Sequence, residues 1–249
     1  MASPDAAVMA EPSPMGPLAR IAGVFFEPSK TFADIARRPS WLVPLVLAIV
    51  GGISITFLIG QHVGWERIVR HQVESSSRAQ QLSAEQKEQQ IQMGVKMAPV
   101  FGYAAPVVFA PLYFLLAAGI FTGLVAGVMS APVKFKQVFA VVTWASLPNL
   151  IAAVLTGVVF FLKNPDDIDP QNALMFNLGA YMDPQHSSKF LVSAASSLDL
   201  FSFWIMFLMA TGLKAAAGKK LSFGGALFVV VLPWAAYVLV KSALAGVFG

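Results

Sequence analysis

The sequence predicts an all-α polytopic integral membrane protein, a bundle of five transmembrane helices. Of its 249 residues 57% are apolar and only 12% are charged, whereas an ordinary soluble domain carries roughly 25% charged residues. The apolar residues form five long runs, each able to cross a hydrocarbon core of roughly 30 Å as a helix. The chain has no cysteine, which excludes disulfides, thiolate nucleophiles and Cys-ligated zinc.

The region before the first span divides into two parts. Residues 1–17 hold four prolines and few large apolar groups, so we expect a disordered tail that is not a secretory signal. Residues 18–38 are amphipathic, break at Pro28 and end in two arginines. This pattern predicts an N-terminal interfacial segment at the cytoplasmic headgroups, with Asp34 and Arg37 exposed. A soluble cap on the first span is the alternative.

The first span covers about residues 41–60 and is followed by a polar stretch, residues 61–96. We expect the first helix to continue beyond the bilayer to about Ser76. A serine–glutamine capping box then starts a second helix near Ala84. Together the two helices predict an extramembrane helical hairpin extension. Its histidines and glutamates lack the spacing of a metal motif, so no metal site is predicted.

The second span covers about residues 98–128 and is long enough to be tilted or to extend beyond the hydrocarbon core. In its second half Gly119, Gly123 and Gly127 recur every four residues. Such glycines leave a flat helix-packing groove where another helix can approach closely. We expect this groove to pack within the monomer, and a dimer seam is the alternative.

The third span covers about residues 138–162, with Pro148 near its middle. Proline removes one backbone hydrogen bond and kinks the helix, which should free a carbonyl around Trp144. Ser146 and Asn149 add polar groups at the same place. The kink is either structural, as in many membrane helices, or a notch that holds a ligand or an ion.

The loop of residues 163–189 holds three aspartates between prolines, Asp166, Asp167 and Asp169. It lacks the glycine and the distal glutamate of a calcium loop, so no metal site is predicted here either. Residues 173–181 are expected to form a short interfacial helix.

The fourth and fifth spans, about residues 190–213 and 223–248, each contain one charged residue at depth, Asp199 and Lys241. A charge at the centre of a membrane helix costs about 3 kcal/mol on insertion scales, so it usually faces protein or water. At 1.5 Å per residue the two charges fall in the same outer third of the bilayer, on neighbouring helices. We expect Asp199 to face inward with Lys241 as its nearest cationic partner, directly or through water. The pair is either a structural strut or a proton, ion or ligand site.

Basic residues orient the bundle. The N-terminal segment and the two short turns between spans hold nine lysine and arginine residues. The opposite side holds eight, but they are spread over long loops that also contain eight acidic residues, and short basic segments weigh most. The positive-inside rule therefore predicts a cytoplasmic N-terminus and an external C-terminus, in a bacterial cytoplasmic membrane. The modest net charge of +4 lies near the membrane ends, which indicates contact with the lipid bilayer and no nucleic-acid partner.

Several short motifs, in their order and spacing over residues 18–245, resemble the Yip domain (Ypt/Rab-interacting protein) membrane family in its prokaryotic form. The motifs are Glu27-Pro28-Ser29-Lys30-Thr31-Phe32, Phe135-Lys136-Gln137-Val138-Phe139, Ala145-Ser146-Leu147-Pro148, Asn177-Leu178-Gly179 and Ser197-Leu198-Asp199-Leu200-Phe201-Ser202-Phe203-Trp204. We therefore expect one Yip-like membrane domain over residues 18–249. The resemblance implies five membrane helices, a cytoplasmic N-terminus and no catalytic residues. Eukaryotic relatives act in vesicle traffic with Rab-type GTPases, a role that does not carry over to a bacterial chain, and the polar stretch 61–96 departs from compact eukaryotic members.

Two functions remain open. The first is a non-enzymatic membrane-organising or adaptor/scaffold protein, which works through helix packing and partners such as a homo-oligomer or other membrane proteins. The absence of a GxSxG elbow or another nucleophile–base arrangement favours it, so no catalytic residue and no cofactor are predicted. The alternative is a small ion or solute transporter or channel that uses Asp199 and the Pro148 kink.

Overall fold

A computed structural model of the protein describes residues 13–74, 76, 81–163, 174–183 and 186–248. Within these ranges the chain is helical and has no β-strand, apart from one isolated bridge. Five of the described helices are long and apolar enough to span a membrane. The predicted all-α polytopic fold is therefore confirmed. The tail predicted to be disordered falls mostly on residues 1–12, outside the described residues.

The described residues form ten α-helices. In chain order they are α1 (Pro17–Phe26), α2 (Pro28–Arg37), α3 (Leu42–Leu58), α4 (Trp65–Glu74), α5 (Ala84–Gly123), α6 (Phe135–Ala145), α7 (Pro148–Leu162), α8 (Lys189–Ser196), α9 (Leu200–Ala217) and α10 (Phe223–Phe248). The five apolar spans are Leu42–Val63, Ala84–Val128, Phe135–Leu162, Leu200–Lys220 and Phe223–Val247.

Helix α6 lies at the centre of the bundle. Residues 138–148, which include all of α6 beyond its first turn, are buried without interruption. Helices α2, α5 and α9 pack around it. The closest approach is at Gly212 of α9, where a Cβ atom would collide with the side chain of Val141 and lie 2.9 Å from Phe32. A larger residue at this point would separate α2, α6 and α9.

The N-terminal segment is part of this core. Helices α1 and α2 form a hairpin, and Val24, Phe32 and Ile35 are completely buried against α6 and α9. Asp34 is only 3% exposed, so the predicted exposure of this carboxylate is wrong, whereas Arg37 is exposed as expected. The outward face of α1 carries exposed apolar side chains, among them Leu18 and Phe26, which is the composition of an interfacial helix.

The first helix ends earlier than predicted. Instead of continuing to Ser76, it closes with a π-turn, Ile59–Val63, and the chain reverses at Gly64, whose φ is 85°. A residue with a Cβ rarely adopts that backbone conformation, and the hydropathy of the region does not reveal the break. Helix α4 then folds back along α5, so the predicted helical hairpin is present.

The hairpin of α4 and α5 is fixed by local contacts. The predicted capping box starts α5: Ser83 Oγ accepts from the Gln86 amide at 3.2 Å, and Gln86 Oε1 accepts from the Ser83 amide at 2.9 Å. Arg70 donates to Glu66 at 3.0 Å and to Glu88 at 3.3 Å. The hydrogen bond to Glu66 and the charge of Glu88 raise the pKa of the Arg70 guanidinium.

Candidate functional site

The fourth span is interrupted at Asp199. The predicted continuous helix over residues 190–213 is instead two helices, α8 and α9, separated by residues 197–199. Asp199 has an extended backbone and caps α9: its Oδ1 accepts from the amides of Phe201 at 2.6 Å and Ser202 at 3.2 Å. These amides have no partner inside the helix, and a carboxylate is favourable at the positive end of the helix dipole. Asp199 therefore has a structural role that accounts for its position.

The preceding loop closes this interruption. The amide of Leu178 donates to the Leu198 carbonyl, and the amide of Leu200 donates to the Phe176 carbonyl, each at 3.2 Å. The two bonds form an isolated antiparallel bridge between Asn177 and Asp199. The region expected to be an interfacial helix contributes a 3-10 turn, Leu178–Tyr181. The loop thus supplies hydrogen bonds that a continuous helix would have made itself.

Lys241 reaches the same interruption without pairing with Asp199. Its Nζ donates to Ser197 Oγ at 3.3 Å, and in the next position Ser242 Oγ lies 3.5 Å from Ser193 Oγ. Within the described part of the chain no ion pair joins Lys241 to Asp199. The direct form of the predicted pair is therefore not formed, although both charges lie at the same helix interruption.

The third span is interrupted at Pro148, as its proline predicted. Helix α6 ends at Ala145 and α7 begins with Pro148 in its first turn. The expected free carbonyl of Trp144 is wrong, because the amide of Leu147 donates to it at 3.3 Å. Ser146 Oγ donates to the Thr143 carbonyl at 2.8 Å. Asn149, the other predicted polar residue, is exposed, and its carboxamide makes no hydrogen bond to the described residues.

A cavity of about 280 Å³ opens beside this interruption, between α3, α5 and α7. Three of its lining residues have polar side chains: Ser146, Asn149 and Tyr113 of α5. Residues beside Pro148 line this cavity, whereas Asp199 and Lys241 do not. The structure thus separates the single polar site predicted from the sequence into two places.

The predicted glycine groove does not pack within the monomer. Gly119, Gly123 and Gly127 are exposed, and a Cβ built on any of them would have no heavy atom of another described helix within 4 Å. The expectation of an intramolecular contact is therefore wrong. Close helix approach occurs instead at Gly51 and Gly52 of α3, where a Cβ would lie 2.8 Å from Leu150 and from Pro106 respectively.

A buried ion pair that the sequence did not indicate holds the N-terminal hairpin. The guanidinium of Arg20 lies 2.7 Å from Asp34 Oδ2, and the two side chains are 6% and 4% exposed. Arg20 also donates to Ser40 Oγ at 2.5 Å and to the Arg38 carbonyl at 3.1 Å. Every one of these partners belongs to α2 or to the residues after it, so Arg20 fixes α1 on α2.

Two side chains of α6 extend this network, which we call the N-terminal clasp (Arg20, Asp34, Ser40, Gln137 and Trp144). Gln137 Nε2 donates to the Ala36 carbonyl at 2.8 Å, and Trp144 Nε1 donates to the Ser40 carbonyl at 2.6 Å. The end of α2 and the chain before α3 are thereby tied to the central helix.

No group of three or more histidine, cysteine, aspartate or glutamate side chains that could hold a metal occurs among the described residues. The loop aspartates Asp166, Asp167 and Asp169 lie outside those residues.

Comparison with known proteins identifies the family of this chain. The family model of the Yip1 domain matches residues 22–244. Membrane protein YknW of Bacillus subtilis (strain 168) is 26% identical over 199 residues, which is 79% of this chain and 78% of the relative. No solved structure gives a significant match. Because the family model matches most of the chain, including both helix interruptions and the first four spans, the chain belongs to the Yip1 family.

Proposed function

We propose that this protein is a non-enzymatic membrane organiser that associates with a second copy of itself through the exposed glycine face of α5. The observation that supports this proposal is the set of three glycines, Gly119, Gly123 and Gly127, which no other helix of the described chain covers. Helix association in a bilayer relies on close backbone packing, which small residues permit.

The surroundings of the glycines favour a second copy as the partner. Leu116 and Ile120 lie on the same helix face and are 69% and 52% exposed. The face therefore combines large apolar side chains with a groove that can receive them. A surface of this kind can be self-complementary, which a two-fold symmetric interface requires.

We further propose that the N-terminus is cytoplasmic and that the membrane is the bacterial cytoplasmic membrane. The hydrogen bond from Gln137 to the Ala36 carbonyl brings the end of α2 beside the start of α6. As a result, Arg37 and Arg38 lie near the short basic turn that contains Lys134 and Lys136. Clustered basic residues in short segments favour the cytoplasmic side.

A small transporter or channel is the second candidate, and the two interrupted spans favour it. Interrupted helices commonly form the binding sites of transporters. However, two backbone amides already occupy the Asp199 carboxylate, which leaves it less available to a transported ion. A flux assay with the purified protein in liposomes tests this candidate directly.

Cysteine cross-linking tests the organiser, and the natural absence of cysteine makes every introduced thiol unique. In native membranes Ile120→Cys should form a disulfide-linked dimer under mild oxidation. Val158→Cys on α7, which is 46% exposed, is the matched control and should stay monomeric. Adding Gly123→Leu should abolish the Ile120 cross-link without changing the thermal stability of the monomer, because that glycine has open space around it. Equal cross-linking at both cysteines, or none at Ile120, would contradict the proposal.

A further inference from the structure

The cavity beside Pro148 lies near the middle of the third apolar span. It is bounded by Gly51 of α3, Tyr113 of α5 and Asn149 of α7. The third span covers Phe135–Leu162, 28 residues, and Asn149 is close to its centre, about 21 Å from the start at 1.5 Å per residue. In a bilayer, Asn149 would therefore lie near the middle of the hydrocarbon core.

Asn149 has unused hydrogen-bonding capacity in this position. Its carboxamide provides two N–H donors and one acceptor oxygen, and within the described chain none of them is paired. In hydrocarbon there is no water to satisfy such a group, so leaving it unpaired is unfavourable. A molecule that occupies the cavity and hydrogen-bonds to the carboxamide would remove that cost.

The wall of the cavity limits the chemistry of such a molecule. The lining residues in the described part of the chain carry no charge, and most are apolar. A charged or zwitterionic headgroup would have no counter-ion there and would be costly to bring to this depth. An uncharged group with a hydroxyl or carbonyl oxygen can bond to the carboxamide without that cost.

The size and the surroundings of the cavity limit what it can enclose. A volume of about 280 Å³ accommodates roughly nine water-sized groups at about 30 Å³ each, which is a small polar head and not a whole lipid. On α3, α5 and α7, residues adjacent in sequence to the cavity lining expose apolar side chains. Val50, Phe109 and Val154 are 53%, 64% and 67% exposed. A long apolar tail can therefore remain in the bilayer while the head enters.

We propose that this cavity binds the uncharged polar end of a membrane-dissolved long-chain lipid, with Asn149 as the hydrogen-bonding residue. The shared chemistry is a small neutral head that carries a hydroxyl or a carbonyl oxygen. Either the free hydroxyl of a diacylglycerol or the carbonyl of a long-chain quinone supplies it. The site is separate from the glycine face of α5, and neither proposal depends on the other.

Photolabelling of the purified protein in phosphatidylcholine vesicles tests the site. Three probes with a diazirine near the head are compared: a diacylglycerol, a long-chain quinone and, as the charged reference, a phosphatidylglycerol. We expect at least one uncharged probe to label the protein about fivefold or more above the reference, in peptides of α3, α5 or α7. The probe that gives the excess identifies the source of the ligand.

Two variants and one control assign the label to the cavity. Ala153→Phe fills it and should remove the excess, whereas Val158→Phe, on the same helix but outside the lining, should retain it. Asn149→Leu should reduce the excess about fivefold to tenfold, since a lost hydrogen bond changes binding by up to about tenfold. Equal labelling by all three probes overturns the proposal. A cavity that holds only water would give that result. An excess that survives Ala153→Phe or, if that variant does not fold, Asn149→Leu also overturns the proposal.

Discussion

Breaking the buried ion pair between Arg20 and Asp34 should release the N-terminal hairpin from the bundle. The two side chains are 6% and 4% exposed, so either charge left alone would be buried without its partner. Removing one member of such a pair costs about 3 kcal/mol or more. Asp34→Ala and Arg20→Met should therefore each shift the docking equilibrium of α1 and α2 toward the open form by roughly 150-fold.

The double variant should be less damaging than the sum of the two single changes. It leaves no unpaired charge, and it loses the hydrogen bonds from Arg20 to Ser40 and to the Arg38 carbonyl, at about 1 kcal/mol each. The expected cost is about 2 kcal/mol, against about 6 kcal/mol for two independent effects. The coupling between the two residues is thus about 4 kcal/mol, which exceeds the usual range of about 0.5–3 kcal/mol for side chains in contact.

Maleimide labelling of Ala36→Cys measures this equilibrium, because Ala36 is 5% exposed and reacts when the hairpin opens. Each single change should accelerate labelling of the purified protein roughly 150-fold, and the double change roughly 30-fold. Lys30→Met removes an exposed ion pair, with Glu27, from the same hairpin and is the matched control, expected to leave the rate unchanged. The reasoning is refuted if the double variant reacts faster than both single variants, or if the single variants react like the control.

Three further predictions concern a cap, a turn and the orientation of the chain. Asp199→Ala should lower the free energy of unfolding by about 1 kcal/mol. Asp199→Asn should retain most of the stability and any function, because its amide oxygen can accept the same hydrogen bonds. Loss of function in a stable Asn variant would indicate an ionisable site. Gly64→Ala should cost about 1 kcal/mol or more, because φ is 85° there and a Cβ is disfavoured; an unchanged melting temperature would contradict this. A reporter active only outside the cytoplasm should be active when fused after Gly249 and silent when fused at Gly218, and the reverse pattern would invert the orientation.

Features that depend on local sequence were predictable. The five spans follow from hydropathy alone, and the Ser83–Gln86 box follows from the side chains that cap a helix start. The break at Pro148 follows from the missing N–H of proline. Each of these signals lies within a few residues of the structure that it specifies, so no knowledge of the tertiary fold was needed.

Features that depend on which helix lies opposite were not predictable. The four-residue spacing of Gly119, Gly123 and Gly127 is the same whether the face meets a helix or lipid. The glycines that let α5 and α7 approach α3 are the adjacent pair Gly51 and Gly52, which has no such spacing. Similarly, an aspartate on an amphipathic segment usually faces water, and Asp34 does not, because Arg20 of the preceding helix neutralises it.

The two charged residues predicted at depth, Asp199 and Lys241, each have hydrogen-bonding partners close to them. Asp199 accepts from two amides of its own helix, and Lys241 donates to a serine of the neighbouring helix. Asp199 could have been identified as a helix cap, because it directly precedes an apolar helical run. Its charge within an apolar run suggested an ion pair or a ligand site instead. Asn149 differs from both, because it lines an open cavity and its carboxamide has no hydrogen-bond partner in the described chain. A side chain already satisfied by the fold gains little from a ligand, whereas an unsatisfied one gains the whole hydrogen bond. The neutral residue at the Pro148 interruption, and not the carboxylate in the fourth span, is therefore the better place to look for a bound molecule.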